Sequence, residues 1–161
     1  MKEKVKQISR LIAAAQIEDI RLVEASVRSR VRSPKDVGSV DFIVRPNASL
    51  KERWKDGTFF VLATIEARLV SSERAEDPAV LVRAEFELKY KLPKDISASK
   101  RDLNAFAEMN GVFNVWPYWR EFIQSMVTRM NLPPLTLPLF RLADTAKPKL
   151  ISKEASKAKA G

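Results

Sequence analysis

Val5, Ile8, Ile12 and Ala15 recur at spacings of three and four, with Lys4, Lys6 and Arg10 off that face. This period predicts a short amphipathic helix at the N-terminus. From Ile17 the period falls to two. Val23, Ala25, Val27, Ser29 and Val31 alternate with Glu24, Ser26, Arg28 and Arg30, as in a strand with one buried and one wet face. Ser33-Pro34-Lys35-Asp36 reads as a turn, and Val37 to Arg45 as a second strand closed by Pro46-Asn47. Ala48 to Lys55 reads as a loop or frayed strand, and Asp56-Gly57 as the next turn. A third strand spans Thr58 to Val70. Phe59, Val61, Ala63, Ile65, Ala67 and Leu69 share one face, and Phe60, Leu62, Thr64, Glu66 and Arg68 share the other. After an acidic loop from Ser71 to Pro78 comes the cleanest alternation, Val82, Ala84, Phe86, Leu88, Tyr90 and Leu92 against Arg83, Glu85, Glu87, Lys89 and Lys91. A sheet with one wet face is antiparallel.

Pro93 ends the sheet. Ser99-Lys100-Arg101-Asp102 resembles a capping box, opening a helix with Leu103, Phe106, Ala107 and Met109 inward and Asn110-Gly111 as its stop. A second helix follows, with Asn114 as its N-cap and Pro117 in its first turn. Trp116, Trp119, Ile123, Met126, Val127 and Met130 make its apolar stripe. Asn131 and Pro133-Pro134 end it, and an extended run follows to Leu142. The pattern predicts an α+β fold. It comprises a four-stranded antiparallel sheet followed by two helices, a short N-terminal helix, one domain over residues 1–144, and a disordered, Lys-rich, flexible tail over 145–161.

Composition narrows the function. The 161 residues contain no Cys and no His. Disulfides, thiolate sites and thiol nucleophiles are therefore excluded, and the commonest general base and metal ligand are missing. The four Gly are scattered, so no phosphate loop exists. Carboxylate pairs such as Glu85/Glu87 lie among Lys and Arg, as on a solvated face. No enzyme, metal or cofactor is expected. No stretch reaches membrane-spanning length and no secretory signal opens the chain, so the expectation is a cytoplasmic protein without membrane insertion. The net charge is +9, with +4 of it in the tail, where five Lys face Glu154. A basic nucleic-acid-binding module, using that tail and the run Arg28 to Arg32, is the alternative reading. No recognition motif accompanies it. Large apolar residues exceed what one small sheet needs, and the surplus points to an oligomer interface or a groove for apolar polypeptide.

The run Asn114-Val115-Trp116-Pro117-Tyr118-Trp119-Arg120-Glu121, then Ser125 to Arg129, then Leu132-Pro133-Pro134-Leu135-Thr136-Leu137, resembles the signature of the SecB family of chaperones. The order of strands and helices agrees from about residue 16 to 142. The resemblance implies an ATP-independent holdase that binds unfolded polypeptides, assembled as a homotetramer, a dimer of dimers. It implies structural roles for Pro117, Tyr118, Arg120, Glu121, Pro133 and Pro134. The client groove expected beside them uses Val112, Phe113, Val115, Trp116 and Trp119, with Phe59, Phe60 and Leu62 opposite. Asp19 matches an acidic position at which export members of the family contact the motor SecA. The acid expected a few residues later is Val23, and the tail is basic, which argues against SecA docking. Leu-Pro-Pro-Leu-Thr-Leu is closer to the SecB-like chaperones of toxin–antitoxin–chaperone modules. The implied client is therefore an antitoxin or an export preprotein.

Overall fold

The computed structural model describes residues 2–33, 40–71, 77–140 and 149–152. Outside them lie all but Ser33 of the Ser33–Asp36 turn, the expected strand start at Val37, loop residues 72–76, the end of the extended run at 141–142, and tail residues 145–148 and 153–161. In chain order the elements are α1 (Lys2–Ala14), β1 (Gln16–Ser29), β2 (Val40–Arg53), β3 (Thr58–Ser71), β4 (Val80–Lys91), α2 (Lys100–Phe106), a π-helical turn (Ala107–Gly111), α3 (Val112–Arg129) and β5 (Lys149–Ser152). All strand pairs are antiparallel and the sheet order is β1-β4-β3-β2-β5. The short β5, four residues of the tail, is a fifth strand that the hydrophobic pattern does not announce.

Strict alternation builds the core. Phe59, Val61, Ala63, Ile65 and Ala67 of β3 and Val80, Val82, Ala84, Phe86, Leu88 and Tyr90 of β4 are buried on one face. The helical segment covers that face over β2, β3 and β4. Its entry is fixed by the Ser99 capping box, in which the Ser99 side chain takes the Asp102 N–H and the Asp102 carboxylate takes the Ser99 N–H. An aromatic triad anchors it. Phe59 stacks on Tyr90 at 5.1 Å, and Phe106 meets both edge-on at 5.4 and 5.1 Å. Leu11 of α1 joins the same core, and Gln7 reaches Asp102 of α2.

Four expectations need correction. Pro46 does not close β2, which continues to Arg53 with Pro46 opposite Ile65. Among the described residues β5 pairs only Asp41 to Val44, so Pro46 has no ladder partner on that side among them, and its missing N–H costs no ladder bond there. Asn110-Gly111 does not stop the helix. Gly111 is right-handed, and a Cβ there would sit 2.6 Å from Ala48 Cβ and 2.9 Å from Val61 Cγ1. This glycine brings the helix down onto β2 and β3, and the chain turns once as a π-helix and continues. Asn114 is therefore no cap; it lies inside α3 and its Nδ2 donates to Tyr90 Oη at 2.9 Å. Finally, β1 has no fully buried face: Ile20 is half-buried against the core and the rest of the strand is exposed.

The end of α3 follows expectation. Asn131 takes φ +54°, its N–H bonds Thr128 O at 3.0 Å, and Leu132 N–H bonds Val127 O at 3.1 Å. This is a complete Schellman termination.

Candidate functional site

The side chains proposed from sequence for one groove fall into three places. Phe59, Val112, Val115, Trp116 and Trp119 are buried in the layer between sheet and helix. Phe60 and Leu62 are half-buried on the opposite face of the sheet, because each adjacent strand position turns over. Phe113 is 44% exposed on the flank of α3. The eight residues therefore do not form one surface in a single chain.

The layer that buries Trp116 is closed by the chain's own extended run. Residues 132–140 cross α3 as a strap. Gln124 Nε2 donates to Leu135 O at 3.4 Å, Trp116 Nε1 donates to Pro138 O at 2.9 Å, and the Trp116 and Phe140 rings lie 5.0 Å apart. Leu135, Leu137 and Phe140 are buried, and Leu139 between them points out, 72% exposed. Phe113, Trp116, Arg120 and Gln124 share one ridge of α3. Phe113 thus stands where the strap leaves the helix. Beside that exit a cleft of about 340 Å³ opens, lined by Pro46, Asn47 and Ala48 of β2, by Glu108, Met109 and Val112, and by Phe140. Sequence reasoning missed Ala48 and Phe140 as lining; the alternation that buries Leu135 and Leu137 was the available signal for the strap.

A second uncovered apolar region follows β1. Ile17, Leu22, Val23 and Val27 are 42–49% exposed. In the β1–β4 register Ile17, Ile20, Leu22, Ala25 and Val27 lie beside Tyr90, Leu88, Phe86, Ala84 and Val82, so they belong to the helix side of the sheet. The ridge Asn114, Tyr118 and Phe122 faces that way, since Asn114 touches Tyr90 of β4. Tyr118 is half exposed there.

The signature residues are mostly at the surface. Pro117, Glu121, Pro133 and Pro134 are exposed. Arg120 is half-buried and its Nε finds no acceptor among the described residues, as do Trp119 Nε1 and Asn110 Nδ2.

The outer face of the sheet is charged but internally neutralised. Glu87, buried at 7% exposure, takes Arg21 Nη2 on Oε1 and Lys51 Nζ on Oε2, each at 2.6 Å. The β-bulge between Leu50 and Glu52 gives Lys51 its place in the strand. The Lys51 and Arg21 hydrogen bonds hold the Glu87 carboxyl below the usual range. Lys89 pairs with Glu18, which raises its pKa, and Lys91 with Asp56, whose carboxyl is driven far down by that bond and by Thr58. Arg68 pairs with Glu66 and Arg30 with Asp77. Asp19 is exposed at the β1 end of this face. Near the β2–β3 turn, Trp54 meets Phe60 edge-on at 4.9 Å. The Tyr90 hydroxyl, by contrast, is pushed up to about 12 by burial. No cluster of metal-binding side chains occurs among the described residues, and no helix among them is long and apolar enough to cross a membrane.

No family model matches the chain. Two curated proteins do. The SecB-like chaperone Rv1957 of Mycobacterium tuberculosis H37Rv is 26% identical over 146 residues, covering 81% of this chain and 80% of the relative. The SecB-like chaperone MT2006 of M. tuberculosis CDC 1551 is 28% identical over 147 residues, with the same coverage of 81% and 80%. Among solved structures, Rv1957 in complex with a ChAD peptide from the Rv1956 HigA1 antitoxin matches with a TM-score of 0.73 at 25% identity. That match covers 84% of this chain and 97% of the other.

Proposed function

The chain is SecB-like in sequence and in fold, and from that premise we propose that it is an ATP-independent holdase chaperone whose client is an antitoxin. The observation that carries the reading is the likeness, over most of both chains, to a chaperone solved with an antitoxin peptide bound. The molecule's own surfaces support it. The cleft lined by Pro46, Ala48, Met109, Val112 and Phe140 is open, sets Asn47 and Glu108 among those apolar walls, and lies next to a strand edge that β5 covers in part. An extended client would bury side chains there, each large one contributing about 1.5–3 kcal/mol before ordering costs. Of the eight residues proposed from sequence, Val112 lines this cleft, and Phe113, next to it in α3, is the exposed one a client would meet. Phe60 and Leu62, with Trp54, offer a separate apolar spot on the outer face.

We assign the β1 region to a second copy of the chain. Its exposed aliphatic row is contiguous, and Glu18 and Asp19 lie near one end with Arg28 and Arg30 near the other. Antiparallel self-pairing sets the acidic end of one copy beside the basic end of its partner. A further pairing across Tyr118 and Phe122 makes the dimer of dimers. The paired carboxylates of the outer face argue against an acidic dock for SecA, and so against an export preprotein as client. The pairing of Arg30 with Asp77 likewise weakens the nucleic-acid reading.

The test is light scattering from a chemically denatured model protein diluted into buffer without nucleotide. Suppression at stoichiometric chaperone supports the reading; unchanged aggregation overturns it. Co-expression with an aggregation-prone antitoxin, read as soluble antitoxin, distinguishes that client from export preproteins.

A further inference from the structure

The strap leaves α3 at Phe140, beside the cleft, and the chain next appears as β5 on the β2 edge. β5 pairs Asp41 with Ser152, Phe42 with Ile151, Ile43 with Leu150 and Val44 with Lys149. The cleft begins two residues further along β2, at Pro46. A polypeptide lying along β2 and into the cleft must therefore compete with β5.

The competition is sharper than the length of β2 suggests. Pro46 donates no N–H, and a bulge interrupts the strand between Leu50 and Glu52. The regular, proline-free part of β2 at its start is Val40 to Arg45, and β5 covers four of those six positions. The occupying segment, Lys149-Leu150-Ile151-Ser152, is also the most apolar part of a tail otherwise dominated by Lys, Ala and Ser. It has the composition of a short client strand.

Resting on the chaperone reading above, we propose that β5 is a self-bound occupant of the β2 edge, and that a client strand gains that edge by displacing it. A four-residue strand is at the short end of the usual range. Tethering to Phe140 holds it near its site at high effective concentration without making it permanent. The tail thereby guards the edge against weak or non-specific strands and yields to a client that also fills the cleft.

The test compares three forms: the full chain, the chain ending at Ala146, and Leu150→Pro/Ile151→Pro. Successive strand residues direct their N–H groups to opposite edges, so replacing both removes the bond to β2 whichever residue makes it. The double variant keeps every tail Lys. Affinity is read with a fluorescent, reduced and carboxymethylated model protein that stays unfolded, and with a free peptide of residues 147–153. If β5 holds the edge nine-tenths of the time, both altered forms bind the unfolded protein about tenfold more tightly than the full chain. The free peptide then competes with it on both. Equal affinity in all three forms overturns the proposal and leaves the chaperone reading standing. Tighter binding by the truncated form alone assigns the effect to tail charge and also overturns it. Absence of binding in every form overturns the chaperone reading, and this proposal with it.

Discussion

β1, at one side of the sheet, and β2, flanked only in part by the short β5 at the other, are the same length and are built for different neighbours. β1 and β2 each run 14 residues. β1 contains no proline and carries an aliphatic row on the helix side that stays exposed among the described residues. β2 contains Pro46 and a bulge, is partly taken by β5, and opens on a cleft formed with the strap. A long apolar edge, bulged at Ile17/Asp19 and Leu22/Glu24 but free of proline, suits lasting burial against an identical surface. A broken edge beside a cleft suits short segments that come and go.

The largest expected effect comes from charging the β1 row. Leu22→Asp with Val27→Asp places four charges in a two-fold interface and removes four half-exposed aliphatic groups. Self-association should weaken by about 10²–10⁴-fold, measured by sedimentation, with the monomer still folded. An unaltered oligomer would move the interface off this edge. On the β2 side, Gly111→Val drives a branched side chain into Ala48 and Val61. It should cost about 1–3 kcal/mol in chemical denaturation and reduce client binding while leaving β1 self-association intact; loss of both would make the edges one unit.

A smaller effect tests what joins them. Glu87 links Arg21 of β1 to Lys51 of β2 across the outer face. Its depressed pKa means the contribution is fully present above the unfolded carboxylate range, and is lost as pH falls through the lower folded value. Glu87→Gln should cost about 1–2 kcal/mol at neutral pH and flatten the acid limb of stability. An unchanged acid limb would assign it to other carboxylates.

The parts of the molecule held by local signals were legible in the sequence. β3 and β4 alternate because one face is wholly buried, Ser99 and Asp102 form the capping box their spacing requires, and Asn131 ends α3 in the left-handed region. Where a residue serves a distant partner, the local rule misled. Gly111 read as a helix stop because its use, close approach to Ala48, appears only in three dimensions. Pro46 read as a strand end because sequence does not say which strands are edges. The proposed groove was divided because Trp116 looked available until Phe140 and Pro138 covered it, and because Phe60 faces away from Phe59. The uncovered state of β1 carries no local signature at all, since its alternation matches that of a buried strand.

The division of labour between β1 and β2 can be read directly by photo-crosslinking from single positions. A photoreactive phenylalanine is placed at Phe113 in one protein and at Leu22 in another, each mixed with an unfolded, carboxymethylated model protein. The account predicts client adducts from position 113 and adducts between two copies of the chain from position 22. Client adducts from position 22, with none from position 113, would contradict it.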